Sequence, residues 1–342
     1  MRLGRAGAVL AAAVIAGVSL TACGGSSSAA GTLMLYNGQH VQTTQALAQA
    51  FQKQTGIAVQ VRNGDEDVLA DQIVTEGANS PADIVFTENS PPLQYLQGKG
   101  LLAPVDPTTL AATPARFNSP RGDWVGVSAR VSVIVYNPSL VKPSDLPTSV
   151  MQLADPKWKG KLAIAPAETD FQPIVTSVAR TYGDAAALRW LQGLKANAGS
   201  SHLYPDNETV TDEVNRGKAA IGVIDQYYWY RQRAQVGAAG THSAIAYFAP
   251  HDVGYVLDVS GAAILRSSDH KAEAQKFLAF LTSRTAQEII ARGDSFEYPI
   301  ASGVTTAQPE TPFARLQPNS ISVGDLGDGS EAVKLLTEAQ LI

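Results

Sequence analysis

The chain has 342 residues, of which 45% are hydrophobic and 17% charged, and its formal net charge at pH 7 is −5. This length is enough for two lobes of ordinary size, and an acidic surface argues against binding to nucleic acid or to a membrane through basic residues. The single cysteine excludes an intrachain disulfide and a metal site built from several thiolates.

The first 22 residues have the pattern of an export signal. Arg2 and Arg5 precede an uncharged run, rich in alanine and valine, that is short for a membrane span. The run ends in Leu20-Thr21-Ala22-Cys23, which matches a lipobox. We therefore expect residues 1–22 to be removed and Cys23 to carry lipid, which anchors a protein without spanning the membrane.

The mature chain is predicted to be acidic and extracytoplasmic. Removal of the signal takes two arginines and no acidic residue, so the formal charge changes from −5 to −7. Residues 23–31 are rich in glycine, serine and alanine, which predicts a flexible tether behind the lipid. We expect the membrane to be a partner through this anchor only.

Residues 33–88 predict a βαβαβ unit. Its predicted elements are strands at 33–36, 57–61 and 83–86, with a helix capped by Thr43 or Thr44 and ended by Gly56, and a second helix at 67–76. This alternation implies a parallel sheet with right-handed crossovers. His40 follows the first strand and Glu88 follows the third, so both are expected at the sheet edge where ligands bind.

Arg130 lies between two predicted apolar strands, 124–129 and 131–136. We interpret the second strand as the crossing of the chain into a second lobe. Because a buried charge needs a partner, we expect Arg130 to face either a nearby carboxylate or a bound anion, and the sequence leaves both open.

The remaining segments predict a second α/β lobe and a return to the first. A strand at 162–165 leads to the loop Glu168-Thr169-Asp170, and Asn207 is expected to cap a helix. Further elements are predicted at 184–196, 253–263, 271–281, 285–291 and 331–339. Residues 32–130 plus about 258–308 form the predicted first lobe, and residues 131–257 plus about 309–342 the second.

Two adjacent tyrosines stand at the end of the buried strand predicted at 219–224. Asp225 is expected to cap a polar, aromatic helix that runs to Gly237. Tyr227 and Tyr228 thus lie where a strand ends and a helix begins, and two long phenol side chains can converge on one small ion there. The alternatives are that the aromatic residues are core, or a platform for a sugar.

Several motifs in the same order resemble the ferric-ion-binding proteins that serve ABC iron importers. They are Leu35-Tyr36-Asn37-Gly38-Gln39-His40, the segment from Ser80 to Glu88, Asp155-Pro156-Lys157-Trp158-Lys159-Gly160, the segment from Asp225 to Trp229 and the segment from Tyr255 to Ile264. The resemblance covers nearly the whole mature chain. It implies a two-lobed periplasmic-binding-protein fold of type 2, whose parallel-sheet lobes are joined by crossing hinge strands.

The resemblance also implies how the protein works. The expected ferric-ion ligands are His40, Glu88, Tyr227 and Tyr228, and the expected partners are the permease and ATPase subunits of an ABC importer, with the protein itself a monomer. Ferric iron is a hard cation that favours oxygen anions, and two phenolates with one carboxylate neutralise its three charges. Free tyrosine has a pKa near 10, so the metal must displace both phenol protons.

The chain departs from the phosphate-using branch of this family. It has Glu168-Thr169-Asp170 where that branch has small polar residues, and Asp225 where that branch has asparagine, whereas Arg130 and Asn207 match. Carboxylates repel a phosphate. We therefore expect either carbonate held by Arg130 and Asn207, or water or a loop carboxylate, to complete the metal shell; otherwise Glu168 and Asp170 are a solvated loop and cap.

Two other functions remain open at this point. The same fold can hold a polyamine, a phosphonate or an oxyanion. His40 with Glu88 can also be part of an oxygenase iron site, although no second histidine stands at a recognisable spacing. The sequence contains no nucleophile elbow, phosphate-binding loop or dinucleotide fingerprint, so we do not expect an enzyme.

Overall fold

A computed structural model describes residues 31–301, 303–306 and 310–342 of the chain. The predicted signal peptide, Cys23 and the tether up to residue 30 lie outside the described residues. Within the described part the strands are β1 (Leu33–Asn37), β2 (Val59–Asn63), β3 (Ile84–Thr87), β4 (Val125–Tyr136), β5 (Leu162–Ala163), β6 (Ile221–Asp225), β7 (Ala244–Ala246), β8 (Leu257–Ile264) and β9 (Tyr298–Pro299). The helices are α1 (Val41–Thr55), α2 (Glu66–Glu76), α3 (Ser90–Gly98), α4 (Pro107–Leu110), α5 (Phe171–Tyr182), α6 (Asp184–Ala198), α7 (Asn207–Asn215), α8 (Gln226–Gly240), α9 (Lys271–Leu281), α10 (Arg284–Arg292) and α11 (Ser330–Glu338).

The strands pair in the order β2-β1-β3-β8-β4-β6-β5, and β7 and β9 also pair with β4. As the sequence predicts, β2, β1 and β3 are parallel, and so are β5 and β6. The strands at the crossing are different: β8 is antiparallel to β3 and to β4, and β4 is antiparallel to β6. The parallel groups therefore lie on the two sides of an antiparallel centre.

Strand β4 carries the chain across this centre without a break. The sequence predicted two strands on either side of Arg130, and this is wrong, because β4 is one strand of 12 residues that are all buried. Residues 125–131 pair with β8 and residues 132–136 pair with β6. Arg130 does not interrupt the strand because Asp258 of β8 stands opposite it in register and other carboxylates surround its side chain.

Three helix boundaries differ from the sequence prediction. Helix α1 begins at Val41 after His40, so Thr43 and Thr44 lie inside its first turn; Thr44 Oγ1 donates to Asn37 Oδ1 at 2.8 Å instead of capping the helix. Asp206 caps α7 by accepting from the Thr209 backbone N–H at 2.7 Å, which leaves the Asn207 side chain free for other contacts. Beyond Gly237, whose φ of 70° bends the chain, α8 continues to Gly240.

The apolar core lies on both faces of the sheet. One cluster packs α1, α9 and α10 against β1, β3, β4 and β8 and includes Phe51 and Phe277, whose ring centroids are 5.0 Å apart in an edge-on contact. A larger cluster extends through the crossing strands to the helices of the second half, from Trp124 to Trp190. No helix within the described ranges is long and apolar enough to cross a membrane.

Candidate metal centre

The four predicted ligand residues come together at one place. His40 follows β1, Glu88 follows β3, and Tyr227 and Tyr228 stand in the first turn of α8 after β6. The Tyr227 hydroxyl donates to Glu88 Oε1 at 2.6 Å, and His40 Nδ1 lies 3.2 Å from the same oxygen. The sheet-edge argument therefore placed these side chains correctly, while their role as metal ligands stays a prediction.

The tyrosine pair converges although its members are neighbours on a helix. The ring centroids of Tyr227 and Tyr228 are 4.0 Å apart, and Tyr227 is fully buried while Tyr228 is 6% exposed. Gln226 fixes the start of α8, because its Oε1 accepts from the Val131 backbone N–H at 2.8 Å and its Nε2 donates to the Phe296 carbonyl at 3.0 Å. The helix start is thus held against β4, and both phenols extend to the same point.

Asp170, which the sequence left undecided, is the fifth member of the cluster. Its Oδ2 accepts from the Tyr228 hydroxyl at 2.7 Å and from the Tyr227 hydroxyl at 3.3 Å. Asp170 is only 7% exposed, and its side chain makes no capping hydrogen bond to α5. It is therefore not a solvated cap.

Glu88 and His40 each stabilise the charged form of the other. Burial opposes the ionisation of Glu88, but the positive charges of His40 and Arg130 outweigh it and lower the pKa of Glu88 to about 2. Burial likewise opposes the charge on His40, but the Glu88 carboxylate raises the pKa of His40 above its ordinary value near 6.5. Glu88 is thus a carboxylate at neutral pH, with an oxygen aimed at the phenols.

The phenols hold their protons strongly while no cation is bound. Burial and then the charges of Asp170 and Glu88 raise the pKa values of Tyr227 and Tyr228 well above 10. A cation among these oxygens reverses this effect, because it stabilises each phenolate directly. The arrangement therefore exchanges protons for a highly charged cation.

Arg130 is buried among carboxylates behind this cluster. Its Nη1 donates to Glu297 Oε1 at 3.1 Å, and its Nε lies 3.4 Å from Asp225 Oδ2 and 3.8 Å from Asp170 Oδ1. Burial opposes its charge, but Glu88, Asp170 and Glu297 together raise the pKa of Arg130 well above its ordinary value. Of the two partners that the sequence left open for Arg130, the structure shows carboxylates.

Two residues that the sequence analysis missed hold the Glu88 loop in place. Glu66, at the start of α2, accepts from the backbone N–H groups of Glu88 and Asn89 at 2.7 and 2.9 Å. The Asn89 side chain donates to Glu66 Oε1 at 2.8 Å and to Asp170 Oδ1 at 2.9 Å. Glu66 follows a predicted strand at the start of a helix, and this position could have identified it from the sequence. Nothing in the sequence indicates that Glu297 pairs with Arg130.

The chemistry of the set suits a hard, trivalent cation. In the described residues, no group of three or more histidine, cysteine, aspartate or glutamate side chains could hold a metal ion by itself, so the set depends on its two phenol oxygens. Here the donors are two phenol oxygens, the carboxylate oxygens of Glu88 and Asp170, and an imidazole. Within the described chain, the buried His40 Nε2 has no hydrogen-bond partner. Hard cations prefer anionic oxygen, and tyrosine pairs are unusual for zinc, calcium or magnesium.

Comparison with known proteins gives a consistent result. Residues 37–288 match the family model described as bacterial extracellular solute-binding protein. The Fe(3+)-binding periplasmic protein of Serratia marcescens is 36% identical over 310 residues, which is 91% of this chain and 90% of that protein. The major ferric iron-binding protein of Neisseria meningitidis serogroup A is 34% identical, over 90% of this chain and 92% of its own length.

Solved structures agree with these relatives. The crystal structure of iron-bound HitA from Pseudomonas aeruginosa is 41% identical and superposes with a TM-score of 0.85, over 90% of this chain and 99% of that one. The predicted family resemblance and the two-lobed α/β fold are thereby confirmed.

Proposed function

This chain belongs to the bacterial extracellular solute-binding proteins, and within them to the ferric-ion-binding proteins, so we propose that it captures ferric iron outside the cytoplasm for import. It is a binding protein, as these relatives are, and not an enzyme. The observation that carries the proposal is the convergence of both tyrosine hydroxyls with Glu88 and His40 at the end of three strands.

The ligands in this proposal come from both lobes. His40 and Glu88 belong to the first lobe, and Tyr227 and Tyr228 to the second. We keep the predicted boundaries, residues 32–130 plus about 258–308 and residues 131–257 plus about 309–342. They are supported by the crossing of β4 at Arg130 and by the packing of the C-terminal helix α11 on α5 and α6. One ferric ion then bridges the cleft.

Capture is an exchange of protons for metal. Glu88 is already ionised, and the ion displaces the protons of Tyr227 and Tyr228, so that two phenolates and one carboxylate neutralise its three charges. Arg130 and Asn207 hold a further anionic oxygen donor against the ion. A polyamine suits the acidic cluster less well, since it lacks the affinity for phenolate that a ferric ion has, and a phosphonate or oxyanion is repelled by Glu88 and Asp170.

The proposal includes delivery of the iron. The protein acts as a monomer, attached to the outer face of the membrane through lipid on Cys23, and passes its ion to the permease and ATPase subunits of an ABC importer. This part is supported by the lipobox in the sequence and by membership of the solute-binding family.

The test is a ferric titration of the purified apoprotein, read as visible colour and as iron bound per chain. A ferric phenolate absorbs in the visible range, whereas histidine and carboxylate ligands do not produce this band. Tyr227→Phe and Tyr228→Phe keep each ring and remove one oxygen, so each variant should bind iron about 10- to 100-fold more weakly and with a shifted band.

Tyr230→Phe is the matched control, because Tyr230 lies on the same helix, is equally buried, and packs on Phe296 away from the cluster. It should leave colour and affinity unchanged. If Tyr227→Phe and Tyr228→Phe both bind ferric iron like the native protein, the tyrosine pair is structural and the proposal is lost.

A further inference from the structure

The Asp170 carboxylate takes the place that the sequence analysis assigned to an exogenous anion. Its Oδ2 is within hydrogen-bond distance of both phenol oxygens, at 2.7 Å from Tyr228 and 3.3 Å from Tyr227. Since Asp170 is 7% exposed and its side chain does not cap α5, the capping of that helix does not account for the position of the carboxylate.

The groups predicted to bind an anion already face this carboxylate. Asn207 Nδ2 donates to Asp170 Oδ2 at 3.3 Å, and Arg130 Nε lies 3.8 Å from Asp170 Oδ1. Asn89 Nδ2, from the opposite lobe, donates to Asp170 Oδ1 at 2.9 Å. A separate carbonate or phosphate bound by Asn207 and Asn89 would have to displace Asp170 from both.

Metal binding changes the charges around Asp170 Oδ2. When both phenol protons leave, the hydrogen bonds that hold Asp170 Oδ2 to Tyr227 and Tyr228 are lost, and three anionic oxygens remain within about the same distances. Such like charges repel each other unless a cation stands between them. A ferric ion bound by both phenolates is therefore bound beside Asp170 Oδ2.

Resting on the proposed function, we propose that Asp170 supplies through Oδ2 the further anionic oxygen donor to the ferric ion, so that this protein binds iron without carbonate or phosphate. Arg130, Asn207 and Asn89 are then positioning residues that orient this carboxylate. The fourth negative charge, beyond the three of Tyr227, Tyr228 and Glu88, lies 3.8 Å from Arg130 Nε. The Asp170 carboxylate then replaces the exogenous anion that the sequence predicted at this loop.

The experiment loads the native protein from ferric nitrilotriacetate and removes the chelator by gel filtration into buffer that is free of phosphate and purged of carbon dioxide. Iron per chain and the visible band are then measured with and without added millimolar bicarbonate or phosphate. Asp170→Ala removes the carboxylate, and Asp170→Asn keeps its shape but not its charge. Asp184→Asn is the matched control, because it makes the same change at an exposed carboxylate of α6 that pairs with Lys334 at 3.8 Å.

The native protein and Asp184→Asn should retain one iron per chain with the same band in every buffer. Both Asp170 variants should hold iron about 10- to 100-fold more weakly in the anion-free buffer. In Asp170→Ala, bicarbonate or phosphate should restore binding and shift the band, because the anion then enters the space that the carboxylate occupied. Rescue by an anion is a result that a purely structural role of Asp170 does not produce.

Three outcomes overturn the inference. The first is that the native protein loses its iron in the anion-free buffer and recovers it with bicarbonate or phosphate. The second is that Asp170→Ala keeps iron as tightly as the native protein in the anion-free buffer. The third is that Asp170→Ala binds iron weakly and neither anion restores binding. A native protein that binds no ferric iron in any buffer contradicts the proposed function instead. Thermal melting of the apo variants shows whether the variants are folded. If they are not, iron retention by the native protein in the anion-free buffer still shows whether an exogenous anion is required.

Discussion

At the scale of single residues, the candidate metal centre is a buried group of titratable side chains. The ordinary pKa of tyrosine, near 10, already keeps Tyr227 and Tyr228 protonated at neutral pH. Burial and the neighbouring carboxylates raise the pKa of each phenol well above that value. Glu88 is ionised, with a pKa of about 2, and the pKa of His40 is raised above 6.5 by Glu88 despite burial. Before metal binds, the two phenols are therefore protonated and Glu88 is ionised.

These pKa directions predict how many protons iron displaces. Above the raised pKa of His40, one ferric ion should release two protons, both from the phenols, and Glu88 should release none. As the pH falls through the pKa of His40, the count should rise toward three, because the imidazole must also lose its proton to bind. The logarithm of the affinity should decrease with falling pH with the same slope.

Proton release can be measured by titrating ferric nitrilotriacetate into weakly buffered protein at several pH values. The count is corrected for the protons that the released chelator takes up and for any hydroxide bound to the titrant. His40→Gln is the control, and its count should stay at two over the whole range. A native count close to one at high pH would show that only one tyrosine binds the metal.

At the scale of elements, a row of contacts connects the turn after β1 to the metal centre. A Cβ atom on Gly38 would stand 2.5 Å from the Glu66 Cβ and 2.8 Å from its Cα, so only glycine fits at this turn. Glu66 in turn accepts from the backbone N–H of Glu88 and of Asn89, and Asn89 donates to Asp170. The start of α2 therefore positions two proposed ligands, Glu88 and Asp170, which lie on different loops.

Gly38→Ala should displace the start of α2 and loosen the Glu88 loop. We expect a loss of about 1–3 kcal/mol in the free energy of unfolding, as for overpacking of a tight core, together with weaker iron binding. Gly98→Ala is the control, because nothing lies within 4 Å of a Cβ there and alanine favours the helix. Chemical denaturation of the apoproteins and ferric titration measure the two effects, and a stable Gly38→Ala variant with native affinity contradicts this account.

The elements also show what the sequence can and cannot predict. His40, Glu88 and the tyrosine pair were found because each follows a strand with a clear apolar pattern, and parallel strands bring such positions to one edge. Asp170 was left undecided because it lies in a loop without periodicity, where the side-chain direction depends on tertiary contacts. The division of β4 at Arg130 was wrong because the carboxylates that neutralise this arginine come from distant segments, among them Glu297.

At the scale of the whole molecule, residues of the two proposed lobes touch around the candidate metal centre. Tyr227 donates to Glu88, Asn89 donates to Asp170, and Gln172 Nε2 donates to Asp67 Oδ2 at 3.3 Å. Each of these pairs joins the first half of the chain to the second lobe. An ion held by ligands from both sides adds to the same interface, and a ligand that binds only the closed form shifts the population toward it.

Iron loading should therefore make the protein more compact. Small-angle X-ray scattering should give a smaller radius of gyration for the native protein with iron than without it, and a smaller or no decrease for Tyr227→Phe under the same conditions. Unchanged scattering in a native protein that clearly carries iron would indicate a site confined to one lobe.

The lipid anchor predicted from the lipobox can also be tested at the scale of the whole molecule. Cys23→Ala removes the only lipidation site in the predicted lipobox, so the variant should leave the membrane fraction or accumulate as a precursor, while the purified protein keeps its ferric colour. Membrane fractionation of cells that express the two forms measures this. Equal membrane partition of both forms would rule out the anchor.

The continuous strand β4 also has a consequence for how the protein unfolds. All 12 of its residues are buried, and one apolar cluster extends from its first-lobe part to the helices of the second lobe. Neither half can lose its packing without exposing a strand on which the other half depends. Residues 31–342 are therefore expected to melt as a single cooperative unit.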